Sequence, residues 1–253
     1  CMAVCLLSEY LWEKCTHQKI TIRDCSALVT GLLLAMNLPA SIPLWMAAIG
    51  SVFAIILVKQ IFGGIGQNFM NPALSARCFM LIAWSSAMTN FTVQGVTSAT
   101  PMTLIKTGGK LPALTDCILG TVSGSLGETS ALLLLLGGIY LIARGIIDWV
   151  LPVSYIAVVF VLAYLFGHDG LYEIMNGGLM LGAFFMATDY TTSPMTRKGR
   201  LVMGIGCGLL TAIIRAYGGY PEGVSFSILL MNICVPLIDR VTMPKIYGEV
   251  KSR

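Results

Sequence analysis

The sequence predicts an all-α, polytopic membrane protein with an inverted internal repeat and broken half-helices, and three observations carry that expectation. The first is composition. Of 253 residues, 56% are hydrophobic and only 11% charged, with a mean hydropathy of +0.82, whereas soluble domains carry about 25% charged residues. The second is that apolar runs long enough to span a bilayer alternate with shorter ones that stop partway. The third is that nearly all basic residues fall on one side when the spans are alternated across a membrane.

Taken in order, residues 1–12 read as the end of a spanning helix, and 13–25 as a polar connection with Lys14, Lys19 and Arg23. Residues 26–38 form an apolar run closed by Asn37-Leu38-Pro39. A span needs about 20 apolar residues, so this run predicts a half-helix. Residues 43–62 predict a full span, followed by the Gly-rich break Phe62-Gly63-Gly64-Ile65-Gly66-Gln67-Asn68. Asn71-Pro72 supplies a cap and a first-turn proline for a helix to about Trp84. Residues 87–129 form the longest polar stretch, expected as a loop without clear structure of its own; a loop of that length is uncommon unless functional. Spans follow at 130–147 and 151–166, a second short run at 177–188, a span at 201–217 and a last helix at 224–238. The expected organisation is a first membrane repeat at 1–86, the loop at 87–129, a second repeat at 130–240 and a tail at 241–253.

Two parts of this series match. One runs from the half-helix at Gly31 through Pro39 and Pro43 to Lys59, Phe62-Gly63-Gly64 and the helix from Asn71. The other runs from Gly182 through Asp189 and Pro194 to Arg215, Tyr217-Gly218-Gly219 and the helix from about Val224. Paired, interrupted hydrophobic segments in two halves point to a midplane site in repeat-built membrane proteins. The second copy has two spans before its half-helix and the first shows the end of one, which predicts one or two helices before Cys1. With the C-terminus placed in the cytoplasm, thirteen of the 16 basic residues lie inside, Lys59 and Arg77 among them, and only Lys106, Lys110 and Arg215 outside. The positive-inside rule prefers this orientation. It runs the two copies in opposite directions and sets the 87–129 loop on the extracytoplasmic side.

The eight cysteines form no C-x-x-C pair and lie mostly in apolar runs, where they read as small buried hydrophobes rather than a disulfide or metal framework. Only His17 and His168 are present, both in polar connections, which argues against a protein-ligated haem. In the long loop, Gly95-Val96-Thr97-Ser98-Ala99-Thr100-Pro101-Met102 draws the eye. A threonine hydroxyl without an activating partner is a poor nucleophile. The stretch therefore reads either as a polar turn fixed by Pro101 or as an acceptor site at Thr100 that another enzyme modifies. Asp189 in the second break reads two ways as well. It is an acid on an ion or proton path, or a partner of Thr191, Thr192, Ser193 or Arg197. Arg77, near the cytoplasmic start of its helix, reads as steering a flavin or as snorkelling to the surface, and snorkelling is the expectation.

At Gly63-Gly64-Ile65-Gly66-Gln67-Asn68-Phe69-Met70-Asn71-Pro72-Ala73, together with Thr97-Ser98-Ala99-Thr100 and Met186-Ala187-Thr188-Asp189, the chain resembles a known family. It is the family of the D subunits of Rnf ion-translocating ferredoxin:NAD+ oxidoreductases and the homologous B subunits of Na+-pumping NADH:quinone oxidoreductases. The resemblance covers essentially the whole chain. It implies that Thr100, the last residue of its motif, carries FMN through a phosphoester bond set by a flavin transferase, with Thr97 and Ser98 in the same motif. It also implies a non-covalent riboflavin held by Thr30, Asn68 and Asn71; on their own residues, Asn71 and Asn68 read equally well as a helix cap and a loop anchor. The motif departs from the family pattern at Gln94, where an acid is usual, and at Ser98, where glycine is common. Lys106 and Lys110 are expected to offset the phosphate charge.

The expected function is a membrane subunit of an ion-translocating electron-transport complex, a translocase-type oxidoreductase that is not a complete enzyme by itself. The sequence has no dinucleotide fingerprint and no Fe–S cysteine cluster. NADH or ferredoxin must therefore be handled by partner subunits, and the resemblance implies that these are the other membrane and peripheral Rnf subunits, including Fe–S subunits and a second covalent-FMN subunit, together with the transferase; the lipid bilayer is expected as a partner and nucleic acid is not. Two other readings remain open: the quinone-reductase B subunit, and a cofactor-free transporter or channel with an inverted repeat.

Overall fold

The computed structural model describes residues 1–93, 96–97, 99–109, 111–219 and 222–244, and of residues 92, 93, 96 and 97 the backbone alone. The described residues are mostly helical. Helices α1 (Met2–Cys15), α2 (Ser26–Met36), α3 (Leu44–Gln60) and α4 (Pro72–Ala83) make the first group. Helices α8 (Ala131–Ala143), α9 (Val150–Leu165), α10 (Gly170–Met175), α11 (Leu179–Leu181, widening into π-type turns over Gly182–Met186), α12 (Arg197–Tyr217) and α13 (Val224–Thr242) make the second. Between them lie α5 (Ser85–Met88), a two-residue antiparallel ladder of β1 (Thr92–Val93) with β2 (Val96–Thr97), α6 (Pro101–Thr107) and α7 (Leu114–Leu119). The stretch expected to lack structure is therefore largely folded, because Thr100-Pro101 starts a short helix and Gly108 and Gly120 close two.

Local sequence accounts for where the helices stop. Asn71 caps α4, its side-chain oxygen accepting from the N–H groups of Ala73 at 3.0 Å and Leu74 at 3.2 Å, with Pro72 in the first turn. Before it, Gly63, Gly64 and Gly66 hold φ of 111°, 91° and 81°, a region open to glycine and costly for residues with a Cβ. The half-helix α2 would leave its last carbonyls bare. The segment before α8 meets them instead: Gly127 N–H donates to Met36 O at 2.7 Å and Leu126 N–H to Leu38 O at 3.2 Å. The end of α11 meets the end of α2, with Asn37 Nδ2 3.5 Å from Met186 Sδ and Asn71 Nδ2 donating to Met186 O at 3.4 Å.

One hydrophobic core joins both groups, including Leu34, Leu74, Met80, Leu151, Leu179, Met203 and Ile228. Four cysteines, Cys5, Cys78, Cys117 and Cys207, are buried in it or beside it, and none of the eight is paired in a disulfide. Helices α12 and α13 are long and apolar enough to cross a membrane, while α2, α3, α4, α8 and α9 are apolar helices of 10–17 residues. Several of the expected spans are thus shorter than the sequence pattern implies. The outer faces are apolar: α8 exposes Leu132, Leu133, Leu136, Ile139 and Tyr140, and α13 exposes Leu230, Ile233, Leu237 and Val241. Continuous apolar faces of this extent fit a bilayer or partner subunits, not water.

Helices α9 and α12 pack closely along their length. A Cβ on Gly204 would stand 1.9 Å from Ser154 Oγ, and one on Gly208 would stand 2.7 Å from Val158 Cβ and 3.0 Å from the Tyr155 carbonyl oxygen. Two glycines four apart let the backbones approach, as small residues do in membrane helix pairs. Just beyond them the buried Tyr155 hydroxyl bonds Thr211 Oγ1 at 2.7 Å and Ser227 Oγ at 3.1 Å, which ties α9 to α12 and α13. Gly208→Leu is expected to force α9 and α12 apart and cost about 1–3 kcal/mol, read as a lowered midpoint of thermal unfolding in detergent. Ile205→Leu, on the half-exposed face of the same helix, is expected to leave that midpoint unchanged.

Candidate functional site

Thr100 is 5% exposed. Its hydroxyl oxygen lies 2.9 Å from Thr103 Oγ1 and accepts the Thr103 N–H at 3.3 Å, capping α6. The backbone just before it is pinned by Ser123 Oγ, which donates to Ala99 O at 2.6 Å. Thr97 lies in β2, paired with Thr92; Ser98, Gln94 and Lys110 lie outside the described residues. Lys106 donates to Gly218 O, tying α6 to the glycine pair after α12.

Thr100 and Thr103 border a narrow cleft of about 50 Å³ with Arg77, Cys78, Glu222 and Ser225. Arg77 is the surprise. It does not snorkel to a surface but is 7% exposed and points into the protein. Its Nη1 reaches Asn37 Oδ1 at 3.1 Å, Ser225 Oγ at 2.9 Å and Glu128 Oε1 at 3.0 Å, and its Nη2 donates to Glu222 Oε2 at 2.5 Å. The reason is local. Arg77 stands mid-helix on the face of α4 that meets the C-terminal end of α2, where the helix dipole favours a cation, and two carboxylates complete the match. Burial pushes the Glu128 carboxyl up to about 7, with Arg77 beside it pulling the other way. Sequence reasoning passed over Glu128 and Glu222. The signal was there: in a chain with 12 acids, an acid abutting an apolar run needs a buried partner.

On the far side of the α2–α11 meeting point, a cavity of about 410 Å³ is lined by Thr30, Asn68, Asn71, Lys59 and Asp189 together with apolar Val29, Leu33, Ile65 and Phe185. The three residues singled out for a second ligand thus share one cavity. Their polar groups also serve the fold. Thr30 Oγ1 donates to Ser26 O at 3.0 Å, Asn68 Nδ2 to Met70 O and Thr191 Oγ1 at 3.1 Å each, and Asn71 caps α4. Asp189 accepts from the Thr191 N–H and hydroxyl and from the Thr192 hydroxyl, the local alternative raised for it, while Arg197 pairs with Asp148. No group of three or more His, Cys, Asp or Glu able to hold a metal occurs among the described residues.

Removing one partner of a buried ion pair costs about 3–5 kcal/mol, because the other charge is left unmatched. Arg77→Met is therefore expected to lower the unfolding midpoint steeply. Arg77→Met with Glu128→Gln and Glu222→Gln together is expected to recover part of that loss, read by the same thermal melt.

A model of the NQR2, RnfD, RnfE family matches residues 1–248. The chain is 51% identical over 264 residues to the D subunit of the Na(+)-translocating ferredoxin:NAD(+) oxidoreductase complex of Acetobacterium woodii, covering 100% of this chain and 83% of that protein. It is 46% identical to the D subunit of the proton-translocating ferredoxin:NAD(+) oxidoreductase complex of Clostridium ljungdahlii, covering 96% and 80%. It is 40% identical to the D subunit of the ion-translocating oxidoreductase complex of Stutzerimonas stutzeri, covering 98% and 81%. With the match running over nearly its whole length, the chain belongs to the NQR2, RnfD, RnfE family.

Proposed function

We propose that this chain is the flavin-carrying membrane subunit of an Rnf-type, ion-translocating electron-transport complex. The observation that carries the reading is the family membership, with relatives named as D subunits of ion-translocating oxidoreductases. In this reading FMN is joined to Thr100 by a phosphoester that a flavin transferase forms, and Thr97 and Ser98 belong to the motif that enzyme reads. Thr100 heads α6 and borders the cleft into which the Arg77 guanidinium points, the cation in that cleft, where it is paired with Glu222. The flavin, when bound, supplies one- and two-electron chemistry; the protein supplies position and electrostatics.

A second, non-covalent flavin, riboflavin, occupies the cavity at Thr30, Asn68 and Asn71. Its volume of about 410 Å³ lies in the range of about 300–1,000 Å³ common for small-molecule sites, and its mix of apolar walls and a few polar groups suits a planar heteroaromatic ring. The architecture is an inverted repeat. Its support is a device present in both halves: a basic residue before the aromatic-Gly-Gly break, Lys59 or Arg215, pairs with a buried acid on a preceding helix, Glu9 at 2.5 Å or Glu173 at 2.7 Å. The chain crosses the membrane several times, with Thr100 on the extracytoplasmic face and the C-terminus in the cytoplasm. Ferredoxin and NAD+ are handled by partner subunits that carry Fe–S centres and a second covalent FMN.

Co-expressed with a flavin transferase, the wild-type chain is expected to show ultraviolet fluorescence in a denaturing gel, and Thr100→Ala to show none. A dark wild-type band, under conditions where a control substrate is flavinylated, would remove Thr100 from the account.

A further inference from the structure

The cavity proposed for the second flavin has one basic wall. Lys59 lines it and is 4% exposed. Its ammonium donates to Glu9 Oε1 at 2.5 Å and to Ser26 Oγ at 2.5 Å, and Ser26 borders the same cavity. An ammonium has three protons, and these two bonds leave one for a ligand. Glu9 is fully buried and accepts a second bond, from Gln60 Nε2 at 2.9 Å, on the same oxygen that Lys59 uses. Its other oxygen, Oε2, has no hydrogen-bond partner among the described residues. Lys59 therefore meets a carboxylate on one side and the cavity on the other. Asp189 lines the same cavity, and its oxygens accept bonds from Thr191 and Thr192. The cavity thus carries a buried cation and a part-exposed, hydrogen-bonded acid among otherwise largely apolar walls.

We propose that Lys59, with Glu9 as its counter-charge, is the residue that orients the ring bound in this cavity and sets its redox potential. This inference rests on the non-covalent flavin assigned above. The imide and carbonyl edge of a flavin is its acceptor-rich end, and the negative charge of the reduced ring gathers there. Lys59 would hold that edge of a bound ring, and Phe185 and Ile65 would give apolar contact to the rest of it. Uptake of two electrons and one proton leaves the ring with one negative charge. A buried ammonium in a low-dielectric cavity favours that charged form over the neutral oxidised one. Lys59 is a positioning and tuning residue here: it forms and breaks no bond. The pair Glu9–Lys59 predicts opposite effects at its two ends. Neutralising Lys59 removes the stabilising charge, and neutralising Glu9 leaves that charge less compensated.

The test uses the full chain purified in detergent from cells without a flavin transferase, so that Thr100 stays unmodified and any flavin present is the non-covalent one. Flavin is released by acid and quantified by chromatography. Its midpoint potential is read by titration with dithionite, which supplies the electrons, in the presence of mediators. Lys59→Gln is expected to lower the stability of the reduced form at least tenfold, about 30 mV for a two-electron couple. Glu9→Gln is expected to raise the potential, and Lys59→Arg to stay near wild type. A purely structural role for the pair would disturb flavin content without opposite shifts. Bound flavin whose potential moves in neither variant, or in the same direction in both, overturns the proposal. If Lys59→Gln loses its flavin, Glu9→Gln and Lys59→Arg decide by the same criteria. A wild-type chain that carries no flavin and takes up no added riboflavin overturns the second-flavin reading itself, and with it this inference.

Discussion

A guanidinium buried in a mostly apolar bundle is the constraint on which the rest of this structure turns. Arg77 cannot stay charged away from water unless its surroundings are built to match it. That requirement brings four separate parts of the chain to one point: Asn37 at the end of α2, Glu128 ahead of α8, and Glu222 and Ser225 at the start of α13. Glu128 arrives only because the segment before it covers the open end of α2 through Leu126 and Gly127. The half-helix and the long connection thus solve each other's problem. One has carbonyls without partners, and the other has backbone N–H groups and an acid to place.

The same economy of polar groups repeats away from that point. Lys59 with Glu9 and Arg215 with Glu173 each hold a buried cation near the end of a helix. Arg215 also binds the Glu173 carbonyl oxygen at 2.6 Å, closing α10. In a bilayer every backbone group must be satisfied inside the protein, so broken helices are tolerated only where such partners exist. The places where helices break are therefore the places where polar side chains converge, and the cleft at Thr100 and the larger cavity both sit there. The cleft at Thr100 lies on one side of the α2–α11 meeting point and the larger cavity on the other.

Much of this was legible in the chain. Composition announces an apolar helical protein, and Asn71-Pro72 announces the start of α4. Thr30, Asn68 and Asn71 are far apart in sequence but share one cavity. What sequence order concealed was long-range pairing. Arg77, read with its own helix alone, looks able to reach a surface, yet its partners lie 40 to 148 residues away. The 87–129 stretch looked structureless for a related reason. Its helices are seven and six residues long, too short to leave a periodic signal, and they are held by caps and by contacts such as Ser123 to Ala99. Helix α10 escaped notice in the same way, since six residues stabilised by Arg215 leave no stripe to read.

The central claim is that Thr100 carries the flavin, and the most direct measurement is peptide mapping of the subunit isolated within its complex. Trypsin cleavage after Arg77 and Lys106 yields a peptide of residues 78–106 that contains Thr100. The account predicts that this peptide carries an FMN-sized mass increase, with fragment ions placing the mass on Thr100. The same peptide recovered unmodified, or the flavin mass found on a different residue, would contradict it.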